Sequence, residues 1–188
     1  LSSIYTAATG MLAQETRQEA LTNNLANANT VGFKKDLPVF QTKFQDGERM
    51  QPVEEIYGER VYCDGIFTLH GQGGFEQTNG QLDLAVSGDG FFVVDTPNGE
   101  RYTRAGNFTI NPLGELVTQE GYAVQGQNGN IVLNGNQIVF GENGAVMVDG
   151  EAIDRLRIIN FQMPQDFYKE GDSLYGLEAG RETEAVLQ

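Results

Sequence analysis

From Gly71 onward the chain is punctuated by turn signals: Asn79-Gly80, Gly88-Asp89-Gly90, Asn98-Gly99, Asn111-Pro112, Asn128-Gly129, Asn134-Gly135, Asn143-Gly144 and Asp149-Gly150. Asn-Gly and Asp-Gly favour type I′ hairpin turns, whose two central residues both need positive φ. A chain broken this often has no room for long helices and is limited to short antiparallel strands. Phe91-Phe92-Val93-Val94 is apolar at every position, which predicts a central strand covered on both faces. Arg101-Tyr102-Thr103-Arg104 and Phe108-Thr109-Ile110 alternate, as strands covered on one face do. Ile153, Leu156, Ile158 and Phe161 supply a late strand that can close the core. The 24 glycines and the absence of tryptophan fit the same picture of many strands and tight turns. No strict internal repeat is present.

The first thirty residues follow a different period. Ser2 and Ser3 are plausible caps for a helix starting at Ile4. Ile4, Ala8, Met11 or Leu12, then Leu21, Leu25 and Ala28 fall on one helical stripe. The stripe is thin between Ala13 and Glu19, and Gly10 costs roughly 1 kcal/mol relative to alanine. A handful of apolar side chains at about 1.5–3 kcal/mol each does not offset about 1–2 kcal/mol of backbone entropy per ordered residue. This helix needs a partner surface.

The helix pattern ends in an amide-rich turn, Asn23-Asn24-Leu25-Ala26-Asn27-Ala28-Asn29, followed by the stop signal Thr30-Val31-Gly32 and the anchor Phe33-Lys34-Lys35. Asn23, Asn27 and Thr30 share a face at i, i+4, i+7 spacing. One reading is a fraying end capped by asparagine. The other is an amide face that fixes the register of neighbouring helices, as a buried asparagine does in a coiled coil. From Phe33 to His70 periodicity is lost, which suggests an extended, partly strand-like arm with short pieces such as Gly58-Glu59-Arg60-Val61-Tyr62. Lys34, Lys35 and Lys43 suit either a neighbour's acidic surface or a solvated basic turn.

Charge limits the partners. The chain carries −14, while residues 1–45 hold four basic and three acidic side chains, so the excess lies beyond them. Such a body repels nucleic acid and anionic lipid and opposes non-specific self-association, whereas the near-neutral end is where copies can meet. No apolar run spans a bilayer, and no secretory leader pattern is evident.

Catalytic and metal chemistry find little footing. Cys63 is the single cysteine and His70 the single histidine. Cys63 reads as a half-buried small residue, and His70 as the edge of a turn. Gly71-Gln72-Gly73-Gly74 lacks the Lys-Ser/Thr of a phosphate loop. Gly88-Asp89-Gly90 lacks the alternating oxygen ligands of a calcium loop. A glycosidase needs two carboxylates across a cleft, and most acids here fall in turns. Asp83 differs: flanked by Leu82 and Leu84, it is expected to be partly buried, capping a turn or pairing with Arg104. The resulting expectation is no catalytic residue, no metal and no cofactor.

Asn-Asn-Leu-Ala-Asn-x-x-Thr-x-Gly-Phe-Lys at residues 23–34 resembles the signature of the bacterial flagellar axial proteins, the rod and hook family. The likeness continues in Leu82-Asp83-Leu84-Ala85-Val86, Gly88-Asp89-Gly90-Phe91-Phe92-Val93-Val94, Tyr102-Thr103-Arg104-Ala105-Gly106-Asn107-Phe108 and Gly114-Glu115-Leu116-Val117. These ordered motifs cover roughly residues 1–36 and 71–126. The resemblance implies a mainly β protein with an N-terminal amphipathic α-helix and an antiparallel body built from short hairpins. It divides the chain into an assembly helix (1–32), an extended arm (33–70) and a β body (71–188).

The function it implies is that of a structural subunit of the flagellar basal-body rod, self-assembling into a helical tube that transmits torque between motor and hook. The chain has no room for the hook protein's extra outer domain. A hook-type protein is the nearer alternative; a surface adhesin and an acidic carbohydrate hydrolase are remoter ones. The implied partners are copies of itself, other rod and hook proteins and the type III export apparatus, with no nucleic acid and no membrane insertion. The implied location is the basal body, reached without a cleaved signal peptide. The assembly residues expected on this basis are Ile4, Leu12, Leu21, Asn23, Asn24, Leu25, Asn27, Phe33, Lys34 and Lys35. The family's C-terminal helix, which pairs with the first near the tube axis, has no counterpart in Glu182–Gln188, as expected of a trimmed or processed chain.

Overall fold

The computed structural model describes residues 2–43, 60–160, 167–171, 173–177 and 186–187. They form two compact units, one of residues 1–29 and 34–70, the other of residues 30–33 and 71–188.

The first unit is a helix on a hairpin. Helix α1 (Ser2–Ala26) packs along strands β1 (Asp36–Lys43) and β2 (Arg60–Thr68), which pair antiparallel from Asp36↔Thr68 to Lys43↔Arg60. Residues 33–70 therefore contain a long hairpin, and its pattern is obscured in the sequence for two reasons. A register shift between Val39 and Phe40 breaks the alternation. Pro38 lies within a strand, tolerated because a two-stranded hairpin consists only of edges. Cys63 is exposed on β2 rather than half-buried, because its strand has no second sheet to cover it. Residues Gly58 and Glu59 of the expected strand piece lie outside the described residues.

The second unit is the β body. Its strands are β3 (Phe91–Thr96), β4 (Gly99–Thr103), β5 (Thr109–Ile110), β6 (Leu116–Val117), β7 (Ala123–Gly126), β8 (Gly129–Asn130), β9 (Ile138–Phe140), β10 (Ala145–Val148), β11 (Glu151–Arg155), β12 (Ile158–Asn160), β13 (Phe167–Gly171), β14 (Leu174–Leu177) and β15 (Val186–Leu187). The main sheet runs β13-β14-β4-β3-β7-β6-β5, with β12 beside β3, β15 beside β12 and β8 beside β7; β11-β10-β9 form a smaller sheet. Every strand pairing among the described residues is antiparallel.

Strand β3 is central, as its composition requires. Phe92 and Val94 enter one core with Phe108, Leu116, Val124, Ile131, Val146 and Leu156; Phe91 and Val93 enter a second with Tyr102, Ile159 and Tyr175. Edge-to-face ring pairs, Phe91–Tyr175 and Phe92–Phe108, mark the two sides.

Three local expectations are corrected. Strand β4 is covered on both faces at Tyr102 and Thr103, since Tyr102 enters the second core and Thr103, on the alternate side, is buried as well. The late strand is two strands in different sheets, β11 and β12, with Ile153 exposed and Leu156 and Ile159 buried between or within them; Phe161 lies outside the described residues. Among the described turns only Asp149-Gly150 has two consecutive positive φ values, 51° and 88°. At Asn98-Gly99, Asn128-Gly129 and Asn143-Gly144 the glycine alone is left-handed. That matches a type I turn closed by an αL residue, the other common way to end a short hairpin.

Candidate assembly surface

The helix ends at Ala26, with a turn to Asn29, so Thr30 does not continue its face. Among the described residues its sheltered ones are Thr6, Thr9, Gly10, Ala13, Thr16, Ala20 and Asn24, with Asn27 in line in the turn that follows. They are small or polar. Small side chains let the helix backbone approach the hairpin closely, and Asn24 fastens the far end. Its Nδ2 donates to the Asp36 carbonyl (2.8 Å) and its Oδ1 accepts from the Asp36 N–H (2.9 Å). Asp36 in turn accepts a hydrogen bond from Thr68 Oγ1 (2.7 Å), which closes the base of the hairpin.

The opposite face carries the larger apolar residues. Ile4, Met11, Leu12, Leu21 and Leu25 are 59 to 78% exposed. On the hairpin, Leu37 and its cross-strand partner Phe67 are also exposed, as are Tyr62, Ile66 and Leu69. The first unit thus leaves many of its large apolar side chains uncovered, as an interaction surface does.

Of the amides, Asn24 is satisfied inside the chain, while Asn27 Nδ2 donates to the Asn23 carbonyl (2.9 Å) and to Asn23 Oδ1 (3.0 Å). The anchor residues also have internal positions. In the β body, the Phe33 N–H donates to the Thr30 carbonyl (3.2 Å) and the Lys169 ammonium lies 4.6 Å from the Phe33 ring centroid. Ser173 Oγ donates to the Val31 carbonyl (3.3 Å), and its own carbonyl accepts from buried Thr103 Oγ1 (3.0 Å). Gly32, with φ of 72°, lies so close to the Arg104–Ala105 peptide that a Cβ would overlap its atoms. In the other unit Lys34 is buried and Lys35 exposed.

The remaining motifs pack on one another in the β body. The Leu84 N–H donates to the Gly106 carbonyl (2.9 Å) and the Phe108 N–H to the Leu82 carbonyl (3.3 Å). A Cβ at Gly106 would overlap the Leu84 carbonyl oxygen. Arg104 stacks 5.0 Å over Phe91 and donates to the Gly88 carbonyl (2.8 Å), the Val86 carbonyl (3.4 Å) and Gln72 Oε1 (3.2 Å). Burial pulls its guanidinium below the ordinary arginine range, opposed in part by the charge of Asp89. Asp83 is exposed, accepts from Thr78 Oγ1 (2.7 Å) and caps the turn before it; no pairing with Arg104 forms. The spacing of the motifs could not show that they meet, because the contacts join segments some twenty residues apart.

The described residues contain no group of three or more His, Cys, Asp or Glu placed to hold a metal ion, and no helix long and apolar enough to cross a membrane.

Residues 4–34 match the family model of the flagella basal body rod protein, and residues 85–148 that of the flagellar hook protein FlgE/F/G D1 domain. The two matches follow the rod and hook order along one chain. The chain belongs to the flagellar rod and hook axial protein family. The flagellar basal-body rod protein FlgG of Caulobacter vibrioides is 37% identical over 123 residues, covering 59% of this chain and 47% of that protein. FlgG of Bacillus subtilis is 35% identical, with 59% and 46% covered. The flagellar hook protein FlgE of Borreliella burgdorferi is 34% identical, with 59% and 27% covered. The chain thus spans about half the length of the rod proteins it matches.

Proposed function

We propose that this chain is a structural subunit of the flagellar basal-body rod, not an enzyme, and that it polymerises with copies of itself and other axial proteins into a torque-bearing helical tube. The observation that carries the reading is the helix with two opposed faces. The chain covers the small-residue face with its own hairpin and leaves Ile4, Met11, Leu12, Leu21 and Leu25 in solvent. Burying each of these side chains between copies is worth about 1.5–3 kcal/mol, and a surface that joins to a different surface on the next copy builds an open helical filament when its rotation does not close. The exposed hairpin residues Leu37, Tyr62 and Phe67 are the second candidate half of such a contact. Asn23, Lys35 and the exposed part of the amide turn border the helix surface and would set register there. Location in the basal body, and export through the flagellar type III apparatus without a cleaved leader, follow from the same reading.

The test is Leu25→Asp in cells. A carboxylate forced into a packed apolar interface costs several kcal/mol, so incorporation into the rod and motility should be lost. Because Leu25 is exposed in the single chain, the purified variant should keep the melting temperature of the unmodified protein. Normal rods and swimming would refute the assignment.

A further inference from the structure

Five Asn-Gly pairs occur in the chain, at Asn79, Asn98, Asn128, Asn134 and Asn143. In four of them the neighbours hold the amide or the glycine. Asn98 and Gly99 end the β3–β4 hairpin, with Gly99 paired to Thr96. The Asn128 side chain donates to Asp154 Oδ1 (2.9 Å) and Gly129 is paired in β8. Gly135 is hemmed in by the side chains of Val148 and Asp149. The Gly144 N–H is committed to the Gly141 carbonyl (2.9 Å), and Asn143 Oδ1 accepts from the Ala145 N–H (3.1 Å).

Asn79-Gly80 differs not in room, since the Asp83 side chain stands against Gly80 as Asp149 does against Gly135, but in what faces its backbone nitrogen. It lies in the exposed stretch of residues 71–80, which has no regular secondary structure, and Asn79 has φ of 61°. The Gly80 N–H points to Thr78 Oγ1 (3.4 Å), and that hydroxyl donates to Asp83 Oδ2 (2.7 Å). Gln77 Nε2 points to Asn79 Oδ1 (3.4 Å). Asp83 itself is fixed to the body by a bridge to Asn107, and its N–H donates to the Gly80 carbonyl (3.3 Å). The nucleophilic nitrogen therefore has a hydroxyl relay to a carboxylate, and the carbonyl group it would attack has a donor at its oxygen.

We propose that Gln77-Thr78-Asn79-Gly80 with Asp83 is a self-modification site at which Asn79 deamidates through a succinimide. The Gly80 nitrogen attacks Asn79 Cγ and forms the N–Cγ bond. Its proton passes through Thr78 Oγ1 to the Asp83 carboxylate. The oxygen charge that develops on Oδ1 is met by Gln77 Nε2. The Cγ–Nδ2 bond then breaks, and Nδ2 takes the proton that Asp83 now carries and leaves as ammonia. Water opens the ring at either carbonyl. Attack at Cγ gives aspartate at position 79; attack at the main-chain carbonyl gives isoaspartate, with the backbone rerouted through the side chain. No redox partner is needed, and solvent is the only co-reactant.

The experiment is peptide mapping by mass spectrometry of the purified protein, aged at neutral pH, with fragmentation that separates aspartate from isoaspartate. In the folded protein Asn79 should convert at least several-fold faster than the other four asparagines, and in urea the five rates should converge. Thr78→Val and Asp83→Asn should each slow Asn79 about tenfold, below the usual range for general acid–base assistance because the Gly80–Thr78 contact is long. Gln77→Leu should slow it less. The circular dichroism spectrum and the rates at the other four sites serve as controls for folding. Equal rates at all five sites in the folded protein would overturn the proposal, as would an unchanged Asn79 rate in folded Thr78→Val and Asp83→Asn.

Discussion

At Gly32 one hydrogen atom decides the local structure. Its φ of 72° is costly for any L side chain, and the Arg104–Ala105 peptide occupies the space a Cβ would need. Gly32→Ala should therefore destabilise the β body by about 1–3 kcal/mol, the range for a left-handed non-glycine residue, with the steric overlap added to it. Urea denaturation followed by circular dichroism would measure this; an unchanged midpoint would show that residues 30–33 do not dock. Glu115 gives a second residue-scale prediction. Its carboxylate accepts from Asn111 Nδ2 (2.8 Å) and Asn130 Nδ2 (3.1 Å), which hold its pKa below the ordinary glutamate range. A depressed folded-state pKa contributes stability that is present above the unfolded value and is lost as pH falls through the folded one. The body should accordingly lose stability on acidification below the usual carboxylate range, and Glu115→Gln should flatten that part of the stability–pH curve. An identical curve for the variant would remove Glu115 from the account.

At the scale of elements, β3 and α1 show how much of the fold and the candidate site the sequence discloses. Four consecutive aromatic and β-branched residues between glycine turns point to a strand buried on both sides, and Phe91–Val94 is one. The helix was legible as a helix and its apolar stripe as an assembly candidate. What the stripe did not reveal is that the chain's own partner lies on the other side. The signal was present in Thr6, Thr9, Ala13, Thr16, Ala20 and Asn24, a row of small residues at helical spacing, but such rows bury little area and look like a solvated face. The hairpin was less legible still, since a bulge and a strand proline erase the period-two pattern through which a strand is recognised. Ala20 provides the test of the small-residue face. It is 7% exposed, so Ala20→Leu has no room on the hairpin side and should cost about 1–3 kcal/mol by overpacking. Leu21→Ala, one residue away on the exposed side, should barely move the melting curve. Equal effects would mean that the helix does not distinguish its faces.

On the scale of the whole molecule, charge and apolar surface are segregated along the chain. Residues 1–70 carry six basic and nine acidic side chains, a net −3, whereas residues 71–188 carry six and seventeen, a net −11. Copies joined through the first unit must hold strongly acidic bodies at close quarters, and that repulsion opposes assembly at low salt. Raising the ionic strength from about 0.01 M to 0.15 M shortens the screening length from about 30 Å to 8 Å and leaves the apolar attraction of Ile4, Met11, Leu12, Leu21 and Leu25 almost untouched. The concentration needed for self-association should therefore fall as salt rises, measured by sedimentation or light scattering. The rival mechanism has lysines of one copy bound to the acidic body of the next, and it predicts the reverse. Lys34 is a poor candidate for that role because it is buried in its own chain, which leaves the exposed Lys35 and the other basic residues of the first unit. Polymers that dissolve as salt is added would show that these cations, rather than Ile4 and Leu25, hold the copies together.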